Sequence, residues 1–237
     1  MSKDDRPLTV MVEFQMRAEA TTPEEWLAEW AIRGDDALHG EPETDTYAAA
    51  LNEDDDHQVL IFERYRNGER SLAAHIDRPA HQELNTAMGE GKMTKRRVMT
   101  SRFHDLADFG WWSRPDADPS PKGAVLRFVG FRFDSDDQRD TFVELTGRHG
   151  EYCRENEPGT LIYGAGLAIA DADREIDQHG GDLVFVMACS NQAAAEQHAE
   201  DPRHLALVAE LAERGIVSEP TFRRSYLTSG HGFLWKP

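Results

Sequence analysis

The sequence predicts an α+β fold built from two tandem ferredoxin-like βαββαβ units, and three observations carry that prediction. First, the stretch Val59–Met88 returns at Asp182–Leu211: Phe62 matches Phe185, His75 matches His198, Pro79 matches Pro202, His81 matches His204 and Leu84 matches Leu207, all at one offset. A fixed offset over a strand and two helices marks an internal duplication. Second, the hydrophobic period in each copy switches between two and about 3.6 in the order strand, helix, strand, strand, broken helix, strand. Third, Ser113–Lys122 (SRPDADPSPK) holds three prolines and one alanine as its sole apolar residue, which reads as an extended linker. The units are therefore expected at 1–113 and 123–237, with the linker at 114–122. Each unit leaves one sheet face without cover, and the second copy is the economical way to bury it.

The elements follow in order. Leu8–Arg17 alternates, with Val10, Val12, Phe14 and Met16 on one face, as a half-buried strand does. Thr22 offers an N-cap, Pro23 suits the first helical position, and Glu24 and Glu25 suit the positive helix end. Trp26, Leu27, Trp30 and Ala31 share a face of a helix expected to end near Gly34 or Gly40. Thr44–Leu51 and Gln58–Arg66 read as strands, Gly68–Gly89 as the broken helix and Val98–Leu106 as a fourth strand. In the second copy the matching segments are Ala124–Phe133, a helix over Asp136–Glu155, Asp182–Cys189 and Thr221–Thr228. Glu41-Pro42 aligns with Glu157-Pro158, Thr44 with Thr160 and Tyr47 with Tyr163, at an offset seven smaller than in the core repeat. The second copy is accordingly expected to carry seven extra residues around Asp171–Gly180. Trp111, Trp112 and Trp235 are expected to pack as tails on their own units, with Trp112 and Trp235 equivalent.

Composition removes several function classes. The chain has 237 residues, is 39% hydrophobic and carries a formal charge of −18. No apolar run approaches the roughly 18 residues of a membrane span, and the charged start MSKDDRP lacks the apolar centre of a secretory signal. A cytoplasmic location is expected, with no membrane partner. The acidic balance repels phosphate backbones and the one basic cluster, Lys92–Arg97, is short, so no nucleic acid partner is expected. Cys153 and Cys189 form no CxxC motif, which speaks against a structural zinc site or a dithiol, and two cysteines make no disulfide framework. No phosphate-binding or nucleophile-elbow motif occurs, and the lone GxG at Gly164–Gly166 sits inside a strand.

The EPGTLIY stretch at Glu157–Tyr163, the FERY strand at Phe62–Tyr65 and the helices AAHIDRPAH and EQHAEDPRH resemble the antibiotic biosynthesis monooxygenase family. The resemblance covers about 100 residues in each half. It implies a dimeric α+β barrel, here formed within one chain as a pseudo-dimer, with a pocket in each unit between sheet and helices. It also implies cofactor-independent oxidation of an aromatic, polyketide-like phenol or quinol to a quinone by dioxygen. An electron-rich phenolate can itself reduce oxygen, so the protein need supply only an apolar cavity, a base and exclusion of water. The resemblance leaves open whether the tandem chain dimerises again through exposed strand edges.

His75 and His198 fall where family members often place a pocket-facing group, and both are expected to be catalytic, as base or hydrogen-bond partner to a phenol. The expected substrate-binding set is Trp26, Tyr47, Glu63, Tyr65, His81 and Asn85 in the first half, with Tyr163 and His204 in the second. Alternation puts Glu63 and Tyr65 on one face and Arg64 on the other. On the second helix of the pair, His81, Leu84, Asn85 and Met88 share a face. Val186, Met187, Ala188 and Val208 make the second pocket the more apolar, so chemistry is expected in the first. No cofactor is expected. No metal is expected either: an i, i+6 histidine pair does not share a helical face, and no nearby Cys or carboxylate recurs in both halves. The Asn–Trp–His pattern of haem-degrading relatives is broken, since His75 and Asn85, and His198 and Val208, occupy its later positions. The competing readings are a non-catalytic small-molecule-binding or stress-related barrel, and a haem-associated barrel.

Overall fold

The computed structural model describes residues 5–172, 175–216 and 219–237. Part of the expected N-terminal segment (1–4) and of the longer loop (173–174) lies outside them. The order is β1 (Leu8–Met16), α1 (Pro23–Gly40), β2 (Thr44–Asn52), β3 (Gln58–Tyr65), α2 (Glu69–Ile76), α3 (Pro79–Met88) and β4 (Thr94–Asp105) in the first unit. The second has β5 (Lys122–Phe131), α4 (Asp136–Asn156), β6 (Thr160–Ala168), β7 (Leu183–Cys189), α5 (Gln192–Glu200), α6 (Pro202–Glu213) and β8 (Phe222–Phe233). This is the expected βαββαβ twice over. No helix among the described residues is long and apolar enough to cross a membrane.

Local chemistry explains the boundaries. Thr22 and Glu25 form a reciprocal capping box at the start of α1, satisfying two backbone N–H groups that no helical carbonyl reaches. The helix runs through Gly34 to Gly40; Gly34 is the point where the backbone of Gly232 passes, and a Cβ there would sit 3.5 Å from its Cα. Pro79 and Pro202 start α3 and α6 at the first helical turn, where a missing N–H costs nothing. β4 begins four residues earlier than expected, and β8 extends five residues beyond the expected Thr228. The β8 extension pairs with β2 and joins the two units, whereas the β4 extension pairs with β1 of its own unit.

The eight strands close into one antiparallel barrel in the order β1-β3-β2-β8-β5-β7-β6-β4. Within each unit the first strand is central. Between units, β2 pairs with β8 from Tyr47↔Phe233 to Asn52↔Tyr226, and β4 pairs with β6 from Phe103↔Ala168 to Asp105↔Gly166. Closure leaves no free sheet edge among the described strands, so a second dimerisation would have to use another surface. The barrel interior is apolar: Met11, Leu60 and Phe62 meet Phe128, Val184 and Val186, and the Phe62 and Phe128 rings touch edge to face with centroids 5.3 Å apart. The uncovered faces expected from the sequence are thus buried against each other, and the helices lie outside.

Register corrects the gapless repeat. Tyr47 pairs with Glu63, 16 residues on, whereas Tyr163 pairs with Met187, 24 residues on; the insertion is therefore eight residues, not seven. Glu63 corresponds to Met187 and Phe62 to Val186. The expected match of Phe62 with Phe185 is one residue out, and in a strand one residue reverses the face. Phe62 points into the barrel, while Phe185 packs beneath the helices of the second unit. The two copies return to the His75–His198 offset through one residue fewer between β7 and α5.

The segments after β4 and at the end of β8 cross to the opposite unit, contrary to the expected tail packing. Trp111 exchanges both backbone hydrogen bonds with Tyr163, stacks on its ring with centroids 5.5 Å apart and donates from Nε1 to Leu161 O at 3.0 Å. In return, Thr46 Oγ1 donates to Leu234 O at 2.8 Å. The equivalent turns are Gly110 (φ 61) and Gly232 (φ 77), where a Cβ would lie 1.8 Å from Tyr163 O and 2.0 Å from Tyr47 O. The equivalence of Trp112 with Trp235 is likewise displaced by one. Gly232→Ala meets both a positive φ and a backbone clash, and is expected to lower unfolding free energy by more than about 1 kcal/mol. Urea denaturation measures it; an unchanged midpoint would show that this clasp does not stabilise the barrel.

Candidate functional site

Each unit encloses a cavity between its sheet and its helices. The first, of about 390 Å³, is lined by Phe14, Trp26, Trp30, Tyr47, Ile61 and Glu63 from β1, α1, β2 and β3, and by His81, Leu84, Asn85 and Met88 from α3, with Glu90, Thr94 and Arg97 near its rim. The α3 stripe is the one expected from spacing. The walls are apolar and aromatic: Trp30 stacks on Tyr47 with centroids 4.8 Å apart, and both are buried. Trp26 donates from Nε1 to Thr94 Oγ1 at 3.3 Å, which ties α1 to β4 across the cavity. Both tryptophans therefore belong to the core and to the cavity wall at once.

The polar groups are few and placed by distinct elements. Glu63 reaches the cavity from β3 and accepts from Tyr65 OH at 2.7 Å. Burial raises its carboxyl above the usual range, against the charge of His75 and the Tyr65 hydrogen bond. His81, at the third position of α3, lines the cavity with its Nδ1 buried and without a hydrogen-bond partner. Burial lowers this imidazole to about 4, and the positive charges of His75 and Arg33 add to the effect. It is neutral near pH 7 and able to accept a proton or a hydrogen bond. Asn85, one turn further along α3, adds an amide.

His75 and Tyr65 do not line the cavity. Tyr65 is fully buried against Leu8 and Val10 and reaches the site only through Glu63. His75 is 1% exposed and lies behind His81, with ring centroids 5.0 Å apart. Its Nδ1 is 2.9 Å from Glu41 Oε2 and 2.6 Å from Arg33 Nη2. One nitrogen cannot donate to the carboxylate and accept from the guanidinium together, so a neutral tautomer makes one bond at a time. Arg33 also pairs with Glu41 Oε1, and Thr44 Oγ1 donates to Glu41 Oε2 at 2.6 Å. Burial alone would raise the Glu41 carboxyl, but the hydrogen bond and charge of His75, with the Thr44 and Arg33 hydrogen bonds, outweigh it and hold the group at about 2.

The expectation that no carboxylate recurs beside the histidines is overturned. Glu157 Oε2 lies 2.8 Å from His198 Nδ1, as Glu41 does from His75. Both glutamates open the EP turns that the repeat had already aligned, but residues so far apart in sequence gave no sign of meeting. The second cavity, of about 380 Å³, is lined by Tyr163, Phe185, Met187, His198, His204 and Val208, and by Arg127 and Arg223 from β5 and β8. Val186 and Ala188 face the barrel interior instead. The pocket is apolar as expected, with Met187 where Glu63 stands in the first, but Arg127 and Arg223 add two cations that the expectation lacked. Of the expected site residues, Trp26, Tyr47, Glu63, His81 and Asn85 come together in the first cavity, and Tyr163, His198 and His204 in the second. Sequence reading missed Arg33, Glu41, Glu157, Arg127 and Arg223.

Acid stability follows from both units, since burial also lowers His204 to about 4 and Glu157 is held at about 2. An unfolded His81 binds a proton below about 6.5, whereas the folded one does so only near 4. The unfolded state thus holds more protons between those values, and stability falls as pH drops through that window. Glu41, ordinary when unfolded and at about 2 when folded, removes further stability below about 4.5. Urea midpoints are expected to fall in both steps, and His81→Phe should shrink the upper one, which His204 shares; a His81→Phe profile identical to wild type from about pH 6.5 to 4 contradicts the burial of neutral His81.

The architecture defines a class: two ferredoxin-like units closed into one α+β barrel, each with an apolar cavity holding a histidine. Residues 7–87 match the family model described as antibiotic biosynthesis monooxygenase, and the second half repeats the fold of the first. A comparison with curated proteins returned no match. Among solved structures, a candidate monooxygenase from Lactobacillus acidophilus NCFM is similar over 98% of this chain and 100% of its own, with a TM-score of 0.67 and 13% identity. Another from Fusobacterium nucleatum covers 98% of each chain with a TM-score of 0.68 and 13% identity. An anthrone oxidase-like protein is similar over 96% of this chain and 93% of its own, with a TM-score of 0.56 and 16% identity. At these identities the likeness establishes the tandem fold, while the family match supports a monooxygenase-type activity.

Proposed function

We propose that the chain is a cofactor-free monooxygenase that oxidises an aromatic phenol, quinol or anthrone to a quinone in the first cavity. The observation that carries this reading is His81: a neutral imidazole in an aromatic-walled cavity of about 390 Å³, within the roughly 300–1,000 Å³ usual for small-molecule sites. The planar substrate lies against Trp26, Trp30 and Tyr47, with its hydroxyl or enol directed to His81. His81 takes the proton, and Asn85 orients the oxygen that is left. The electron-rich carbon then forms a bond to dioxygen. For an anthrone, one oxygen atom becomes the new carbonyl, the other leaves as water with the two hydrogens of the methylene, and every electron that reduces dioxygen comes from the substrate carbon. Catalysis is assigned to His81 in place of the expected His75, which acts as a positioning residue behind it.

Dioxygen uptake with an anthrone or naphthol-type substrate, followed together with quinone absorbance, tests the reading. Turnover in proportion to protein is the expected result. Binding of the aromatic without uptake would favour the non-catalytic barrel, and a Soret band in the purified protein would favour the haem-associated one.

A further inference from the structure

The two units treat one buried position differently. In the first, Arg33 reaches from α1 between Glu41 and His75, so that a guanidinium cation bonds Glu41 Oε1 and lies 2.6 Å from His75 Nδ1. In the second, the glutamate, the histidine and the supporting threonine are all retained: Glu157 Oε2 takes a hydrogen bond from Thr160 Oγ1 at 2.8 Å and lies 2.8 Å from His198 Nδ1. The cation is gone. The place of Arg33 is taken by His149 and that of Ala37 by Cys153, one turn apart on α4 and in line with Glu157. The consequence is visible at one atom. Glu157 Oε1, whose counterpart bonds Arg33, is buried and has no partner.

We propose that this position in the second unit binds a zinc ion, held by His149 Nε2, Cys153 Sγ, Glu157 Oε1 and His198 Nδ1. All four residues are buried, and one ligand atom from each lies within 4.8 Å of the others. Cys153 Sγ is 3.3 Å from His149 Nε2 and 3.8 Å from His198 Nδ1, separations close to those between ligands of a tetrahedral centre with bonds of roughly 2.0–2.3 Å. Two imidazoles, a thiolate and a carboxylate are the mixed nitrogen, sulfur and oxygen set that zinc accepts. Charge also balances: the thiolate and the carboxylate neutralise the dication, so the site buries no net charge, where the first unit buries a glutamate with an arginine. Thr160 supplies the outer hydrogen bond that fixes the carboxylate. His198 lines the second cavity, which gives the ion its entry path. The exposed Asp55–Asp56–His57 group lacks such burial and stays outside the proposal.

The test uses the full chain, reduced and stripped with a chelator, then titrated with cobalt(II) as the spectroscopic probe and with zinc. The expected result is saturation at one ion per chain, with a thiolate-to-cobalt charge-transfer band and the visible bands of a tetrahedral ion, both abolished by one equivalent of zinc. Zinc should also raise the unfolding temperature. Cys153→Ala should lose the charge-transfer band. The pair His149→Arg with Cys153→Ala, which copies the first unit, should lose ion binding while keeping the wild-type circular dichroism. Absence of saturable uptake by the wild-type chain overturns the proposal whether or not the variants fold, as does uptake without a thiolate band or uptake that survives Cys153→Ala. The oxygenase reading concerns the other cavity and is unaffected by either outcome.

Discussion

Replacing His81 with alanine is expected to lower kcat for an anthrone or naphthol-type substrate by about 10²-fold or more, the usual contribution of a positioned general base. The structure makes this a clean substitution. His81 Nδ1 makes no hydrogen bond, so its removal strands no partner, and the imidazole is neutral, so no buried charge is uncovered. The cavity walls from Trp26, Trp30 and Tyr47 remain, and KM should change less than kcat. The pH profile supplies a second readout. The base is active when unprotonated, so kcat/KM in the wild type should rise with pH through about 4 and then level. His81→Ala should lose that limb. His204→Ala in the second cavity should leave kcat near wild type. Steady-state kinetics by oxygen electrode decide between these outcomes, and equal losses at both histidines would spread the chemistry over both units.

Arg33→Met is expected to cost about 3–5 kcal/mol of stability, the range for removing one partner of a buried ion pair. Arg33 is 1% exposed, and its guanidinium contacts Glu41, His75 and Asp36, the last at 2.8 Å. Methionine fills much of the volume but leaves the buried Glu41 Oε1 with the half-exposed Arg78, at 3.3 Å, as its remaining guanidinium partner. The cost is mainly that of the under-compensated charge rather than of lost packing, so Arg33→Met combined with Glu41→Gln should recover part of it. Urea unfolding of the single and double variants measures the coupling. Additive losses would mean that the pair is not the source of the effect. The same argument explains why the second unit, which keeps the glutamate without the arginine, calls for another cation there.

Much of the architecture was legible because it rests on local chemistry. The Thr22–Pro23–Glu25 cap, the prolines that restart α3 and α6 and the period of two in each strand are short-range signals, and each element appears within a few residues of its expected place. The repeat gave the pairing of units, since a sheet with one bare apolar face needs a partner. The failures share a cause. A gapless offset between Phe62 and Phe185 is plausible in letters, but side chains alternate along a strand, so a slip of one residue exchanged barrel-facing and cavity-facing positions. That error hid the equivalence of Glu63 with Met187. Within the site, the stripe His81–Leu84–Asn85–Met88 was readable from helical spacing. The removal of His75 from the cavity was not, because it depends on Arg33 and Glu41 arriving from α1 and the following turn. Arg127 and Arg223 were missed because they reach the cavity from neighbouring strands β5 and β8 that lie far apart in sequence, with no pattern of their own.

Isotopically labelled dioxygen supplies the most direct measurement. Incubation of the purified, chelator-treated chain with an anthrone under labelled dioxygen should place one labelled atom in the quinone carbonyl and the other in water, in wild type but not in His81→Ala. A quinone without label, or turnover that appears only after a metal or reductant is added, would contradict oxygenation by the protein's own side chains.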